Sequence, residues 1–308
     1  MRHFLIYTNR QKDKGSAVTE RVCRYLDIRG QRVTVRDYRD SRQDQTSGNC
    51  HAWQEDHTFA LSNADCMIVL GGDGTVLQAA REARQFHIPI IGVNLGTLGY
   101  MTEIEPSGLE EALERLIEGD YEQESRMMLE GKAFLEDGGI QEGWALNDIV
   151  ISRCGPLRTI QFDIYVNGRF LNDYNADGMI VTTPTGSTGY NLSAGGPIVE
   201  PKARLITLTP ICPHTLNQRS IILSPEDVIE IAVPQGRDGR RQTVEAVFDG
   251  SQAVRLCTGE RIRIVQSEKM AEFIQLNQVS FLDVLHRKLS ENGQRGVRHE
   301  EDPAGKDY

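Results

Sequence analysis

The sequence predicts an α/β N-terminal domain built on a Rossmann-like parallel sheet, then a mostly β C-terminal domain and a terminal helix. Three observations predict it. Strand-sized apolar runs alternate with helical spacing over the first third of the chain. From about Tyr121 the texture changes to short alternating strands separated by turns. Near the end, Phe281 to Leu289 returns to helical spacing.

The elements follow in order. Phe4 to Tyr7 is a short apolar strand, and Gly15 to Asp27 is helical, with Val18, Val22, Tyr25 and Leu26 on one side. Arg32 to Arg36 alternates around Val33 and Val35. Cys66 to Leu70 is almost wholly apolar, as a strand covered on both faces must be. Thr75 to Phe86 reads as a helix, Ile88 to Val93 as a strand and Leu109 to Ile117 as an amphipathic helix. This rhythm implies a parallel sheet with helices on both faces. In the second half, Gln161–Val166 and Arg169–Leu171 flank Asn167-Gly168, a strong hairpin signal. The expected division is 1–120 for the α/β domain, 121–268 for the β-rich domain and 269–290 for a C-terminal segment with the helix, able to pack back on the first domain. The polar residues 291–308 are expected to be disordered.

Composition narrows the function. The chain has 308 residues, 39% of them hydrophobic, enough for one large or two medium cores. A net charge of -10 argues against nucleic acid as a partner, because phosphate contacts need clustered Lys and Arg. The richest basic stretch, Arg237 to Arg241, is short and broken by Asp238. Six cysteines are scattered with no CxxC pair, so no disulfide framework is expected. Cys50, His51, His57 and Cys66 fit no common zinc spacing, and no protein metal site is expected. The first residues are too short for a signal peptide, and the longest apolar runs are strand-sized. A reduced, cytoplasmic protein that leaves membranes alone follows.

The most informative short segment is Gly71-Gly72-Asp73-Gly74-Thr75, between the buried strand and the helix. A glycine turn at a helix N-terminus offers bare N–H groups to a phosphate, with the helix dipole behind them. Neither GxxxxGK[ST] nor GxGxxG is present. The acid in the middle distinguishes this turn. Beside polyphosphate, a carboxylate holds a cation or accepts a proton, which places Asp73 as a base or metal-positioning group. The residues alone leave a second reading equally open, in which Asp73 is an ordinary turn residue or helix cap.

Asp177 to Val199 is more specific. A strand, Met179 to Thr183, runs into a loop dense in hydroxyls and glycines with one aromatic, Tyr190. Such a loop suits a ribose and a base. His214, in Cys-Pro-His, reads as a packed histidine rather than an acid catalyst.

Together with Asn147-Asp148, Leu95 to Tyr100, Thr209 to Leu216 and Phe248-Asp249-Gly250, these segments resemble the bacterial NAD kinase family in order and approximate spacing, from about residue 60 to 290. The resemblance implies ATP-dependent phosphorylation of the 2′-hydroxyl of the adenosine ribose of NAD. It implies Asp73 as proton acceptor, Gly71, Gly72, Gly74 and Thr75 as the nucleotide turn, and Gly74 as an NAD neighbour. Asn147 and Asp148 match a pair that binds NAD, and Asp177 is similarly an NAD contact. Thr188, Gly189, Tyr190, Asn191, Leu192 and Ser193 match the segment that wraps the adenosine. Arg158 and Asn175 fall where relatives contact nucleotide. Mg²⁺ or a similar divalent ion, and assembly into dimers or tetramers, are also implied.

This chain departs from the family pattern in three places. Asp148 stands where Glu is usual, Gly189 where Ala is usual, and Ser251 precedes Gln252 where Gln is usual after Asp249-Gly250. Two rival readings remain at this stage. One is a lipid kinase of the diacylglycerol or sphingosine type with the same turn. The other is a sensor that binds NAD without turnover.

Overall fold

The computed structural model describes residues 1–38, 63–96, 99–155, 159–214, 219–236, 239–277 and 280–295. It divides into two units, 1–276 and 277–308.

The first unit opens with β1 (His3–Thr8), α1 (Ala17–Ile28), β2 (Arg32–Asp37), β3 (Cys66–Gly71), α2 (Asp73–Ala83), β4 (Ile90–Asn94) and α3 (Leu109–Glu118). Next come β5 (Glu122–Arg126), β6 (Leu129–Phe134), β7 (Ile140–Ala145), β8 (Asp148–Arg153), β9 (Ile160–Val166), β10 (Arg169–Ala176), β11 (Gly178–Thr182) and the single turn α4 (Tyr190–Ser193). It closes with β12 (Ile206–Ile211), β13 (Ile221–Leu223), β14 (Ile229–Ala232), β15 (Thr243–Phe248), β16 (Gln252–Cys257), β17 (Arg261–Gln266) and β18 (Ala271–Gln275). The second unit contains α5 (Phe281–Arg295).

The first sheet has the order β2-β1-β3-β4-β18-β5. All its pairs are parallel except β18 with β5. Successive residues of β1 and β3 point to opposite faces, and both faces are apolar, so helices must cover both. Phe4, Ile6, Ile68 and Leu70 pack under α1 and α3. Leu5, Tyr7, Met67 and Val69 pack under α2. Glu122–Arg126, from the stretch read as β-rich, and Ala271–Gln275, from the C-terminal segment, complete this first sheet.

The remaining strands form two antiparallel six-stranded sheets, ordered β10-β9-β14-β17-β6-β7 and β13-β12-β11-β8-β15-β16. They share one core, with Phe162, Ile164, Ile262 and Ile264 on one side and Ile149, Ile151, Met179, Val181 and Phe248 on the other. The α/β half leans on this sandwich through the far end of α2, where the Arg84 guanidinium sits 4.1 Å from the centre of the Trp144 ring on β7.

Most elements fall where the sequence places them, and three differences have physical causes. First, α2 starts at Asp73 rather than Thr75. Gly72 is the extended residue before it (φ -134°, ψ -173°), and an acid is favourable in a first helical turn. Second, Asn167 and Gly168 take φ of 52° and 74°, as a tight hairpin needs, but β10 then runs on to Ala176 past a register shift between Phe170 and Asn172. Third, α5 continues to Arg295, into the stretch expected to be disordered, because no proline interrupts it. Cys50, His51, His57, Arg237, Asp238 and residues 296–308 lie outside the described residues. Among the described residues no helix is long and apolar enough to cross a membrane.

Candidate active site

β3 lies between β1 and β4 in the first sheet, and the glycine turn leaves its C-terminal end. Ligands of such sheets bind at that edge. No side chain caps α2; Thr75 N and Val76 N donate to Gly72 O at 2.8 and 3.1 Å, which leaves the Asp73 and Gly74 N–H groups pointing out of the helix end. The glycines of the turn serve different ends. A methyl group on Gly71 would lie 2.4 Å from Thr75 Oγ1, so that glycine makes room for Thr75. One on Gly72 would lie 2.5 Å from Lys12 Nζ, whereas one on Gly74 would meet nothing within 4 Å, so Gly74 is the open side.

Lys12 reaches the turn on a loop tied to it. Asn9 N–H donates to Leu70 O at 2.9 Å, and Asn9 O accepts from Lys12 N and Asp13 N, each at 2.9 Å. Asn9 Nδ2 donates to Thr75 Oγ1 at 3.3 Å. Buried Asp13 accepts from Val18 N and Thr19 N at the start of α1. Lys12 has no carboxylate partner among the described residues, which leaves a cation beside the glycine turn.

Asp73 is held by its own pair of donors. Its Oδ2 accepts from Tyr100 N at 2.9 Å and its Oδ1 from Met101 N at 3.1 Å. Each oxygen keeps a lone pair for a ligand hydroxyl. Gly99 stands directly against this carboxylate.

Across the site, the peptide from Leu146 to Asp148 enters β8 between β11 and β15. Asp249 Oδ2 accepts from Leu146 N at 2.8 Å, and Asp249 Oδ1 accepts from Asn147 N at 2.8 Å and Asp148 N at 3.2 Å. On the other side, Asn147 O accepts from Thr183 N at 2.9 Å and Thr182 Oγ1 at 3.0 Å. Burial and the Asp249 charge push the Asp148 carboxyl up to about 7. Asn147 Oδ1 is buried without a hydrogen-bond partner, an acceptor awaiting a donor. Leu146 packs in the same cluster as Val76, Ala79 and Ala80 of α2 and Met101, so the two halves of the site meet through one core.

The loop after β11 presses on the outer face of its sheet, where Ala194 meets Val150, Ile180 and Ile211. Asn191 organises it. The buried amide donates to Ser187 O at 3.1 Å and Pro197 O at 2.9 Å, and accepts from Thr209 Oγ1 at 2.7 Å. Tyr190, Leu192 and Ser193 are exposed, while Thr188 and Gly189 are half-buried. A methyl group on Gly189 would stand 3.6 Å from Asn147 Nδ2 and 4.0 Å from Asp148 Oδ2, so this loop faces the Asn147–Asp148 pair.

Within the chain, not all the residues singled out by sequence come together. Asp177 precedes β11 and Asn175 lies near the end of β10, so Asp177 is about 17 Å along the strand from Thr182. Asp177 Oδ1 faces Arg153 Nε at 3.4 Å, and Asn175 O accepts from His214 N at 2.9 Å. Arg158 lies outside the described residues. Sequence reasoning overlooked Lys12 and had no role for Gly99 or Asp249. The signal for Lys12 was its place in the loop that follows the first strand of a parallel sheet.

Residues 4–121 match the profile of the ATP-NAD kinase N-terminal domain, and residues 146–276 that of the ATP-NAD kinase C-terminal domain. An NAD kinase of Lachnospira eligens is 45% identical over 298 residues, covering 94% of this chain and 100% of that protein. One from Lachnoclostridium phytofermentans is 40% identical over 294 residues, with 94% and 100% covered. Among solved structures, an NAD kinase from Archaeoglobus fulgidus in complex with ATP superposes with a TM-score of 0.72 at 27% identity, covering 94% of this chain and 99% of that one. Yeast NADH kinase complexed with NADH shares the fold with a TM-score of 0.78 at 23% identity, covering 99% and 90%. With both domain profiles matched in order and relatives this similar along nearly the whole chain, the protein belongs to the ATP-NAD kinase family.

Proposed function

We propose that this protein is an NAD kinase, which transfers the γ-phosphoryl group of ATP to the 2′-hydroxyl of the adenosine ribose of NAD and so forms NADP. The observation that carries the reading is Asp73, a carboxylate fixed by two backbone N–H groups in the first turn of an uncapped helix behind a glycine turn.

In this reading the triphosphate lies along Gly71, Gly72, Gly74 and Thr75, with Lys12 as counter-charge. Mg²⁺ or a similar divalent ion enters with the ATP phosphates. Residues 1–120 hold the donor and residues 121–268 hold NAD, while 269–290 form a C-terminal segment. Asn147, Asp148 and the Thr188–Ser193 loop receive the adenosine, and Asp73 takes the proton of the 2′-hydroxyl as the phosphoryl group arrives. Positioning and charge stabilisation supply most of the rate. Asn175, Asp177 and Arg158 remain proposed nucleotide contacts, and a homo-oligomer, dimer or tetramer, remains the proposed assembly. A cytoplasmic setting agrees with five described cysteines that are all free and with the cellular home of both substrates.

The test is product formation. Purified protein, ATP, Mg²⁺ and NAD are combined, and NADP is detected with an NADP-dependent dehydrogenase. Replacing Asp73 by Asn is expected to lower kcat by about two to four powers of ten while NAD still binds. Absence of NADP with wild-type protein that binds NAD would favour a sensor, and absence of NAD binding would overturn the reading.

A further inference from the structure

We propose that Asp249 is a positioning residue for NAD: its carboxylate holds the peptide from Leu146 to Asp148 and, through it, sets the Asn147 amide and the Asp148 carboxyl against Gly189. The inference rests on the NAD-kinase reading of the site and adds a residue that touches no substrate.

The geometry is unusually complete. Both Asp249 oxygens are occupied by N–H donors, from Leu146 at 2.8 Å and from Asn147 and Asp148 at 2.8 and 3.2 Å. Asp249 N–H in turn donates to Asp148 O at 3.0 Å. Asp249 adopts a φ of 45°, a conformation that costs a non-glycine residue free energy and persists only where its surroundings demand it. The opposite edge of the same peptide is pinned by Thr182 and Thr183, so Asn147 is clamped from both sides. What the clamp presents is the Asn147 amide, its Nδ2 beside Gly189 and its Oδ1 buried without a partner.

Charge supports the same role. The groups facing Asp249 are Asp148 and the Arg81 guanidinium of α2. Burial raises the Asp249 carboxyl, against the pull of the three N–H donors and Arg81. Those donors leave Asp249 no oxygen suited to carrying a proton, whereas Asp148 has no such donors on its carboxyl. The proton shared by this buried pair therefore sits on Asp148. As pH rises and Asp148 ionises, it becomes the better acceptor for a ribose hydroxyl, so NAD affinity increases with pH.

The experiment compares wild type with Asp249→Asn in steady-state kinetics and in NAD titration calorimetry from pH 5.5 to 8.5. An Asn amide turns an NH₂ group toward backbone N–H donors and lacks the charge. The expected result is a rise in KM for NAD of about tenfold with KM for ATP within about twofold. The pH midpoint of NAD affinity should also move lower, because the Asp249 charge that raises Asp148 is gone. A structural role alone does not move that midpoint. An unchanged KM for NAD, an unmoved midpoint, or equal losses for both substrates overturns the proposal. If the variant does not fold, hydrogen exchange on wild type decides: the Asn147 and Asp148 amides must be protected and slow further when NAD binds, and exchange at open-loop rates or without response to NAD overturns the proposal. Wild type that neither binds NAD nor forms NADP defeats the functional reading itself and the proposal with it, an outcome distinct from an active wild type with an indifferent Asp249→Asn.

Discussion

A methyl group on Gly99 would lie 1.9 Å from Asp73 Oδ1, so the glycine is part of how the carboxylate is seated. The next two residues supply the N–H groups that hold it. Gly99→Ala is therefore expected to evict Asp73 from its seat without touching a substrate. Displacing a reacting group by about 1 Å costs roughly a hundredfold in rate. The expected kcat loss is of that size, with secondary structure by circular dichroism unchanged. Wild-type turnover in Gly99→Ala would mean that Asp73 need not occupy the observed position.

Lys12 makes a second prediction. Its Nζ sits where a Gly72 side chain would be, and it has no carboxylate partner among the described residues. Lys12→Ala is expected to raise KM for ATP by about tenfold, leave KM for NAD within about twofold, and weaken the salt dependence of ATP binding. Lys12→Arg keeps the charge but is bulkier at a tight spot, and should recover only part of the loss. Equal kinetics in Lys12→Ala and wild type would show the amine to be a bystander.

These two residues show where sequence reasoning stops. The strand–turn–helix around Asp73 was legible because glycines and an apolar run are local signals, and the hairpin at Asn167-Gly168 was legible for the same reason. Lys12 and Gly99 were not, because each acts on a residue far along the chain that only the parallel sheet brings near. The strands Glu122–Arg126 and Ala271–Gln275 pair across nearly 150 positions, which no local pattern records. In the other direction, motif likeness groups Asn175 and Asp177 with Asn147, whereas within the chain β11 lies between them and Asp177 faces Arg153.

Stability should depend on pH through Asp148. In the unfolded chain this carboxyl titrates near 3.8, and in the folded chain burial and the charge of Asp249 raise it to about 7. Between those values the folded protein keeps a proton that the unfolded chain has lost. Stability from this group is complete below about pH 4 and is lost as pH rises through about 7. Urea unfolding of the ligand-free protein at pH 5, 6, 7 and 8 is expected to show a falling free energy, and Asp148→Asn a flatter profile. A free energy that rises over this range in wild type, with the slope untouched in Asp148→Asn, would contradict the assignment.

Asn191 and Tyr190 are neighbours matched by sequence to the same adenosine-wrapping segment, yet their surroundings differ. Asn191 is fully buried with its amide committed to Ser187, Pro197 and Thr209, whereas Tyr190 is 47% exposed. Asn191→Ala takes the amide donor from the Ser187 and Pro197 carbonyls, at about 1–3 kcal/mol for a buried group left unpaired. It should lower the unfolding midpoint and raise KM for NAD together, because the loop loses its internal brace. Tyr190→Ala removes a ring that the loop does not use internally, so the unfolding midpoint should hold while KM for NAD rises by about tenfold, as loss of aromatic contact with a base predicts. Thermal scans and NAD kinetics on the pair separate the two roles. A Tyr190→Ala protein with unaltered KM would place the adenosine elsewhere on the loop, and an Asn191→Ala protein of wild-type stability would show that the amide braces nothing.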